Sequence, residues 1–173
     1  MKVAFLDRDG VINKEVGYLH KITDFEYTKN CIEGLKIIVE KGFAIVIITN
    51  QAGIAKGYFT ETQYKNLTNW YLQDLKNHSV PILRTVYCPH HEKGVIKNYK
   101  RKCSCRKPST GMIDNIVEEF NVDLESSILI GDKQSDIEAG KNAGIGACYF
   151  VRSQETPQEI DAFDSLYAAA LFI

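Results

Sequence analysis

Short apolar runs alternate along the chain with segments in which apolar residues recur at helical spacing. Val3 to Leu6 is one such run, and Phe43 to Ile48 is another that is continuous and rich in β-branched residues. A run of the second kind is typical of a strand buried on both faces of a parallel sheet. Further strands are predicted over 82–87, 127–130 and 147–151. This alternation predicts an α/β fold, a doubly wound, mostly parallel sheet with helices on both faces.

Polar residues with capping preferences mark the starts of the predicted helices. Asn30 begins a helix that Gly42 ends, and Thr60 with Gln63 forms a capping box that begins a longer helix toward residue 78. Further helices are predicted over 110–120, 135–144 and 156–170. Because no repeat, linker or low-complexity tract interrupts this order, we expect residues 1–173 to form a single domain.

The overall composition narrows the class of protein. The chain is 45% hydrophobic and 25% charged, with a formal charge of -1, so no basic field favours nucleic acid or an anionic membrane. No apolar run is long enough to span a bilayer, and the apolar N-terminal stretch is too short for a signal peptide. We therefore expect a cytoplasmic protein with no nucleic-acid or membrane partner, and a monomer because no amphipathic surface stripe predicts a dimer.

Polar motifs directly follow three of the predicted strands. Asp7 and Asp9 follow the first, Thr49 the second, and Asp132 the strand near residue 130. Since ligands bind at the carboxyl ends of parallel strands, we expect these side chains to meet. Two carboxylates so close together are costly unless a cation or a shared proton relieves their repulsion. With Lys107 as a further positive charge, the set can support Mg²⁺-assisted phosphoryl transfer through a carboxylate nucleophile.

A cluster of cysteines and a histidine predicts a second metal site. The candidate ligands are Cys88, His90, Cys103 and Cys105. Their types suit Zn²⁺, and four ligands leave no open position, so the zinc would be structural. It would hold in place the loop 88–107, at whose end Arg106 and Lys107 lie. His91 is a competing ligand to His90, and surface thiols beside an unrelated histidine are the alternative. An odd number of cysteines without an export signal argues against a disulfide framework.

Taken together, these motifs resemble those of the haloacid dehalogenase superfamily of phosphohydrolases over roughly residues 1–152. The matching segments are Asp7-Arg8-Asp9-Gly10, Thr49-Asn50, Lys107 and Gly131-Asp132-Lys133 with Asp136. The resemblance implies a Rossmannoid fold with a minimal cap, with Asp7 as nucleophile and Asp9 as general acid and then base. It implies that Thr49 and Lys107 hold the phosphoryl oxygens. Mg²⁺ would be bound by Asp7, the Asp9 backbone carbonyl and Asp132.

Within the superfamily, the zinc loop and small cap resemble the family of heptose-bisphosphate phosphatases. The matching segments are 7–13, 17–18, 49–55, 57–58 and 105–108. The resemblance implies a sugar bisphosphate substrate, D-glycero-D-manno-heptose 1,7-bisphosphate, which loses its 7-phosphate on the route to nucleotide-activated heptose for lipopolysaccharide or other surface glycans. The implied substrate-binding residues are Glu15, Val16, Gly17, Tyr18, Asn50, Gln51, Ala52, Arg106 and Lys133. Arg106 would contact the second phosphate. The same resemblance favours His90 as the zinc ligand and gives Asp136 the role of orienting Lys133 or capping its helix.

Two alternative functions remain open from the sequence. A histidinol-phosphate phosphatase of histidine biosynthesis shares the zinc loop and the four motifs, although the segments 17–18 and 51–55 fit the heptose-bisphosphate phosphatases better. A non-catalytic, zinc-stapled RNA-binding module would use the basic run over 93–107. Such a run binds phosphate backbones, but the chain has little net positive charge to support it.

Overall fold

The computed structural model describes residues 1–153 and 156–173. Within these ranges the strands are β1 (Val3–Leu6), β2 (Ala44–Asn50), β3 (Ile82–Cys88), β4 (Ile128–Gly131) and β5 (Ala147–Phe150). The helices are α1 (Cys31–Glu40), α2 (Ala52–Ala55), α3 (Glu61–Asn77), α4 (Gly111–Glu119), α5 (Gln134–Ala143) and α6 (Leu166–Phe172), and Ile22–Asp24 forms a 3₁₀ turn. No helix in these two ranges is both long and apolar enough to cross a bilayer.

The described strands form one sheet in the order β3-β2-β1-β4-β5, and every neighbouring pair is parallel. Val3 aligns with Ala44 of β2, and Ala4 aligns with Ile128 of β4. The direction of winding reverses at β1, which lies between the two halves of the sheet. In such folds the crevice for a ligand opens at the carboxyl ends of the strands on either side of this reversal. The predicted doubly wound α/β architecture is confirmed.

Strand alternation divides the core between the two faces of the sheet. Ala4 and Leu6 of β1 belong to a cluster with α1, α3 and α6, whereas Val3 and Phe5 face a cluster with α4 and α5. All four side chains are fully buried. Because β1 is apolar on both faces, it forms a rigid centre from which the following residues enter the crevice.

Two of the predicted helix starts have different outcomes. The capping box at Thr60 forms, since its side chain accepts from the backbone N–H of Gln63 and Gln63 accepts from that of Thr60. The predicted side-chain cap at Asn30 is wrong. Asn30 adopts a left-handed conformation, with φ of 55°, and makes no capping bond with its side chain. Asparagine tolerates this conformation better than most residues, so it serves the turn before α1.

The predicted closing helix over 156–170 is also wrong in its extent, because α6 begins at Leu166. The preceding residues extend the sheet edge: Arg152 N–H donates to Phe163 O at 2.8 Å, and Phe163 N–H donates to Phe150 O at 2.8 Å. These tertiary bonds use donors and acceptors that a helix would need internally. Ser165 then caps α6 by accepting from the Ala168 N–H. The short helix α2 was not predicted.

Candidate active site

The carboxyl ends of β1, β2 and β4 bring three predicted residues, Asp7, Thr49 and Asp132, to one crevice. Each is at most 5% exposed. Lys107 reaches the same place from the loop before α4 and is 4% exposed. Its Nζ lies 2.9 Å from Asp7 Oδ1 and also donates to the backbone carbonyl of Ile48 at 2.9 Å. Residues that are a hundred positions apart in sequence therefore form one buried ionic cluster.

Three carboxylates cluster near this lysine, and two of them, Asp7 and Asp136, pair with it. Asp7, Asp132 and Asp136 each offer an oxygen within 4.8 Å of the others. Burial, together with repulsion from Asp136, raises the pKa of Asp7 to about 6, although Lys107 opposes the change. Burial and repulsion from Asp7 raise the pKa of Asp132 to about 8. Since Asp132 Oδ1 is buried with no hydrogen-bond donor in the described part of the chain, the donor set fits a hard divalent cation such as Mg²⁺.

Asp136 has a wider role than the sequence indicated. Its Oδ2 accepts from the backbone N–H of Lys133 at 2.9 Å, which is the helix-capping contact that was expected. Its Oδ1 also lies 2.6 Å from Nζ of Lys107. Burial alone would lower the pKa of Lys107, but the carboxylates of Asp7 and Asp136 raise it. The lysine is consequently a permanent positive charge, held between two anions.

Asp9 faces a different set of partners, led by Arg8. The Arg8 guanidinium is 0% exposed, and its Nη2 lies 2.8 Å and 2.9 Å from the two Asp9 oxygens. Asn13 and Gln51 also donate to this carboxylate, each at 3.0 Å. Burial alone would raise the pKa of Asp9, but Arg8 and these hydrogen bonds lower it. Repulsion between Asp7 and Asp9 is thus relieved partly by the chain itself, through an arginine that the sequence analysis had not assigned.

Amide side chains at the end of β2 connect the motifs. Gln51 Nε2 lies 2.8 Å from Thr49 Oγ1 and 3.0 Å from Asp9 Oδ2, so a single amide connects Thr49 with Asp9. Asn50 Oδ1 accepts a hydrogen bond from the Lys107 backbone N–H at 3.1 Å, and Asn50 Nδ2 donates to the Lys107 backbone carbonyl at 3.2 Å. These two bonds place the lysine backbone directly beside β2. The structure shows that Gln51 and Asn50 position other residues of the cluster, and their contact with substrate stays a prediction.

A cavity of about 1030 Å³ opens above the cluster. Asp9, Lys107 and Asp132 form part of its wall. The predicted substrate-binding residues that line it are Glu15, Gly17, Tyr18, Asn50, Gln51, Ala52, Arg106 and Lys133. Val16 is 54% exposed and does not line it. Lining residues that the sequence analysis missed include Lys14, Lys56, Ser135 and Arg152. They belong to no motif, so only the folded chain identifies them.

The second predicted metal site is also assembled. Sγ of Cys88 lies 3.5 Å from Sγ of Cys103 and 3.0 Å from that of Cys105, and His90 Nδ1 lies 3.3 Å from Cys105 Sγ. Three sulfurs and one imidazole nitrogen within 4.8 Å suit a tetrahedral cation. His91 lies outside this group and instead accepts from the Lys93 N–H. The structure therefore favours His90 over His91 as the ligand.

Comparisons with known proteins agree with this geometry. A family model described as polynucleotide kinase 3 phosphatase matches residues 2–173. The chain belongs to this phosphatase family. Together with its fold and motifs, the match makes the chain a phosphatase of the haloacid dehalogenase type, which is a phosphoric monoester hydrolase.

Two curated relatives of this phosphatase come from Photorhabdus laumondii. One, a D-glycero-alpha-D-manno-heptose-1,7-bisphosphate 7-phosphatase, is 56% identical over 92% of this chain and 87% of the relative. The other, named for the beta form of the same compound, is 42% identical over 87% of this chain and 80% of the relative. A solved D,D-heptose 1,7-bisphosphate phosphatase from B. bronchiseptica, in complex with magnesium and phosphate, superposes with a TM-score of 0.84 at 24% identity. The match covers 99% of this chain and 97% of that one. This last likeness establishes the fold.

Proposed function

We propose that this phosphatase removes the 7-phosphate of D-glycero-α-D-manno-heptose 1,7-bisphosphate. The observation that carries the choice of substrate is the contrast between two relatives of one organism. The chain is 56% identical to the one named for the alpha form and 42% identical to the one named for the beta form. The product would be a heptose 1-phosphate, a suitable acceptor for nucleotidyl transfer in nucleotide-activated heptose synthesis. A monomeric, single-domain chain that works in the cytoplasm remains our prediction.

In this proposal Asp7 is the nucleophile. One of its oxygens attacks the phosphorus of the 7-phosphate while the bond from phosphorus to the sugar oxygen breaks, which leaves an aspartyl phosphate. Lys107, 2.9 Å from Asp7, and the Thr49 hydroxyl hold the phosphoryl oxygens as charge moves onto them. Asp7 and Asp132 would hold Mg²⁺ together with the Asp9 backbone carbonyl, and the ion supplies charge neutralisation at the phosphoryl group.

Asp9 transfers the protons in both half-reactions. A phosphate dianion beside Asp9 raises the pKa of its carboxyl, which is low in the substrate-free protein, so the bound substrate favours the protonated acid. Asp9 then donates its proton to the departing sugar oxygen. In the second half-reaction the Asp9 carboxylate takes a proton from the water that attacks the aspartyl phosphate. The bond from phosphorus to the Asp7 oxygen breaks, which releases inorganic phosphate and restores the Asp7 carboxylate. Arg8, Asn13 and Gln51 keep this carboxylate in one orientation throughout.

The zinc loop has a supporting role in the same proposal. A structural Zn²⁺ bound by Cys88, His90, Cys103 and Cys105 would hold the segment that continues into Arg106 and Lys107. The donor set fits this ion because three thiolates and one neutral imidazole are soft enough to prefer it. The metal would thereby set the position of two cations that face the substrate.

The proposal is tested by measuring phosphate release, in the presence of Mg²⁺, from the α and β anomers of heptose 1,7-bisphosphate and from histidinol phosphate. We expect the α anomer to have the highest kcat/KM. Asp7→Asn should abolish turnover of every substrate, whereas Asp161→Asn, at an exposed position far along the chain, should not change it. A clear preference for histidinol phosphate would refute the substrate assignment, and substantial turnover by the Asp7 variant would refute the nucleophile.

A further inference from the structure

The basic residues around the cavity differ in how completely carboxylates neutralise them. Apart from Lys107 of the buried cluster, the lining cations are Lys14, Lys56, Arg106, Lys133 and Arg152. Three have a carboxylate within 4.0 Å, in the pairs Lys14–Glu26, Lys133–Glu15 and Arg152–Asp164. Within residues 1–153 and 156–173, Lys56 and Arg106 have no such partner. In addition, Nη1 of Arg106 is buried there without a hydrogen-bond acceptor. These two cations are therefore the ones left to meet an anionic ligand.

Lys56 is held in a defined position, although it lies in no recognised motif. Its Nζ donates to the Tyr18 hydroxyl at 2.8 Å and lies 5.3 Å from the centroid of that ring. The Tyr18 ring packs in turn on Tyr58, with centroids 4.4 Å apart. An ammonium has three donors, and one bond to a phenol leaves two of them for another acceptor. Lys56 is thus a pre-positioned cation rather than a freely moving surface lysine.

Lys56 and Arg106 line the same cavity, and the segments that carry them are tied together. The carbonyl of Ala55, the residue before Lys56, accepts from the backbone N–H groups of Val95 and Ile96 at 2.8 Å and 3.0 Å. Both donors belong to the loop 88–107, which also carries Arg106. Because the loop is tied to the end of α2 in this way, Lys56 and Arg106 approach the cavity from adjoining segments.

We propose that Lys56, positioned by Tyr18, binds the phosphate of the substrate that is not transferred, together with Arg106. This inference rests on the proposed function, since it assumes a bisphosphate. A phosphate dianion requires about two positive charges. A lysine supplies a point charge and an arginine a planar fork, so the pair can neutralise and orient the group. Tyr18 then acts as a positioning residue. Lys56 distinguishes a bisphosphate from a monophosphate.

The test compares Lys56→Gln with wild type on heptose 1,7-bisphosphate and on p-nitrophenyl phosphate, which has only the phosphate that is transferred. We expect KM for the bisphosphate to rise about tenfold, the loss typical of one charge-assisted hydrogen bond, with kcat little changed. Kinetics on p-nitrophenyl phosphate should stay the same. Tyr18→Phe should raise KM for the bisphosphate by a smaller factor. Lys97→Gln is the matched control, because this exposed lysine belongs to the same loop as Arg106 but is not among the residues that line the cavity.

Each contrary result has its own meaning. If wild type hydrolyses the bisphosphate but Lys56→Gln keeps the wild-type KM, the assignment of Lys56 is refuted while the proposed function stands. An equal rise in KM for Lys97→Gln would refute it too, because any lost positive charge would then weaken binding, whatever its position. If wild type hydrolyses p-nitrophenyl phosphate but not the bisphosphate, the proposed function itself fails, and the inference fails with it.

Discussion

Replacing Asp132 by asparagine should make the Mg²⁺-free protein more stable at pH 8 while abolishing its activity. Asp132 lies among the buried carboxylates of Asp7 and Asp136, and Lys107 pairs with those two. Lys133 lowers the pKa of Asp132 but offsets the repulsion only in part, since its Nζ also lies 3.1 Å from Glu15. Asparagine keeps the shape of this side chain and removes its charge. The repulsion then no longer destabilises the folded state, and the candidate cation site lacks one ligand.

The size and pH dependence of this effect follow from the pKa of Asp132, which burial and Asp7 raise from an ordinary 3.8 to about 8. Between these values the folded protein binds a proton that the unfolded chain has released, so stability falls as pH rises through the window. At about 1.4 kcal/mol per pKa unit, the upper bound at pH 8 is roughly 5 kcal/mol. Since Asp7 shares the repulsion, we expect a gain for the variant of about 2 kcal/mol at pH 8, falling below about 1 kcal/mol at pH 5.

Urea denaturation at the two pH values, in buffer without Mg²⁺ and without a chelator that would remove zinc, measures this difference. Adding Mg²⁺ at pH 8 should stabilise the wild type and leave Asp132→Asn unchanged, because only a protein with the intact carboxylate set gains binding free energy. The reasoning would be refuted by a variant less stable than wild type at pH 8, or by an equal difference at both pH values.

Three further outcomes are expected. Arg8→Met should lower the free energy of unfolding by about 3 kcal/mol, because it leaves the buried charge of Asp9 unpaired. The double variant Arg8→Met/Asp9→Asn should lose less than the sum of the two single variants, and additive values in urea titrations would contradict this. Gly10→Ala places a β-carbon 2.3 Å from Oδ2 of Asp132, at a backbone φ of 84°, so kcat should fall steeply. Gly144→Ala is the control, because its φ of 81° is similar and open space surrounds the added carbon, so its kcat should change far less. Metal analysis should find about one zinc per wild-type chain and a large loss of it in Cys105→Ser, with a lower Tm; a metal-free wild type would contradict the zinc assignment.

The strands were the most predictable part of this fold. A run such as Phe43 to Ile48 is buried on both faces, and its continuous hydrophobicity specifies a central parallel strand without reference to any partner. The capping box at Thr60 was predictable for a similar reason, because all of its atoms lie within one helical turn. The start of the closing helix was not predictable, because distant backbone groups on and just after β5 form hydrogen bonds with the segment before it.

The candidate site likewise has a part that the sequence predicts and a part that it does not. Asp7 and Asp132 were predicted from residue type and position after strands, since parallel strands necessarily end at one edge. The three cysteines were predicted as metal ligands from residue type and spacing, and His90 was preferred to His91 by the family resemblance. The partners that control their charge could not be read from spacing. The buried guanidinium of Arg8 on Asp9, and the placement of Lys56 by Tyr18, depend on side-chain directions and on segments that meet only in the folded chain.

The amino-acid sequence by itself determined the α/β class, the reaction type and the two groups of side chains that could hold a metal ion, because periodicity and short motifs are local properties. The tertiary structure decided how the charges balance. Asp7 and Asp9 are two residues apart, yet one pairs with Lys107 and the other with Arg8. Which cation meets which carboxylate depends on burial and on distances across the sheet, and these exist only once the strands are paired.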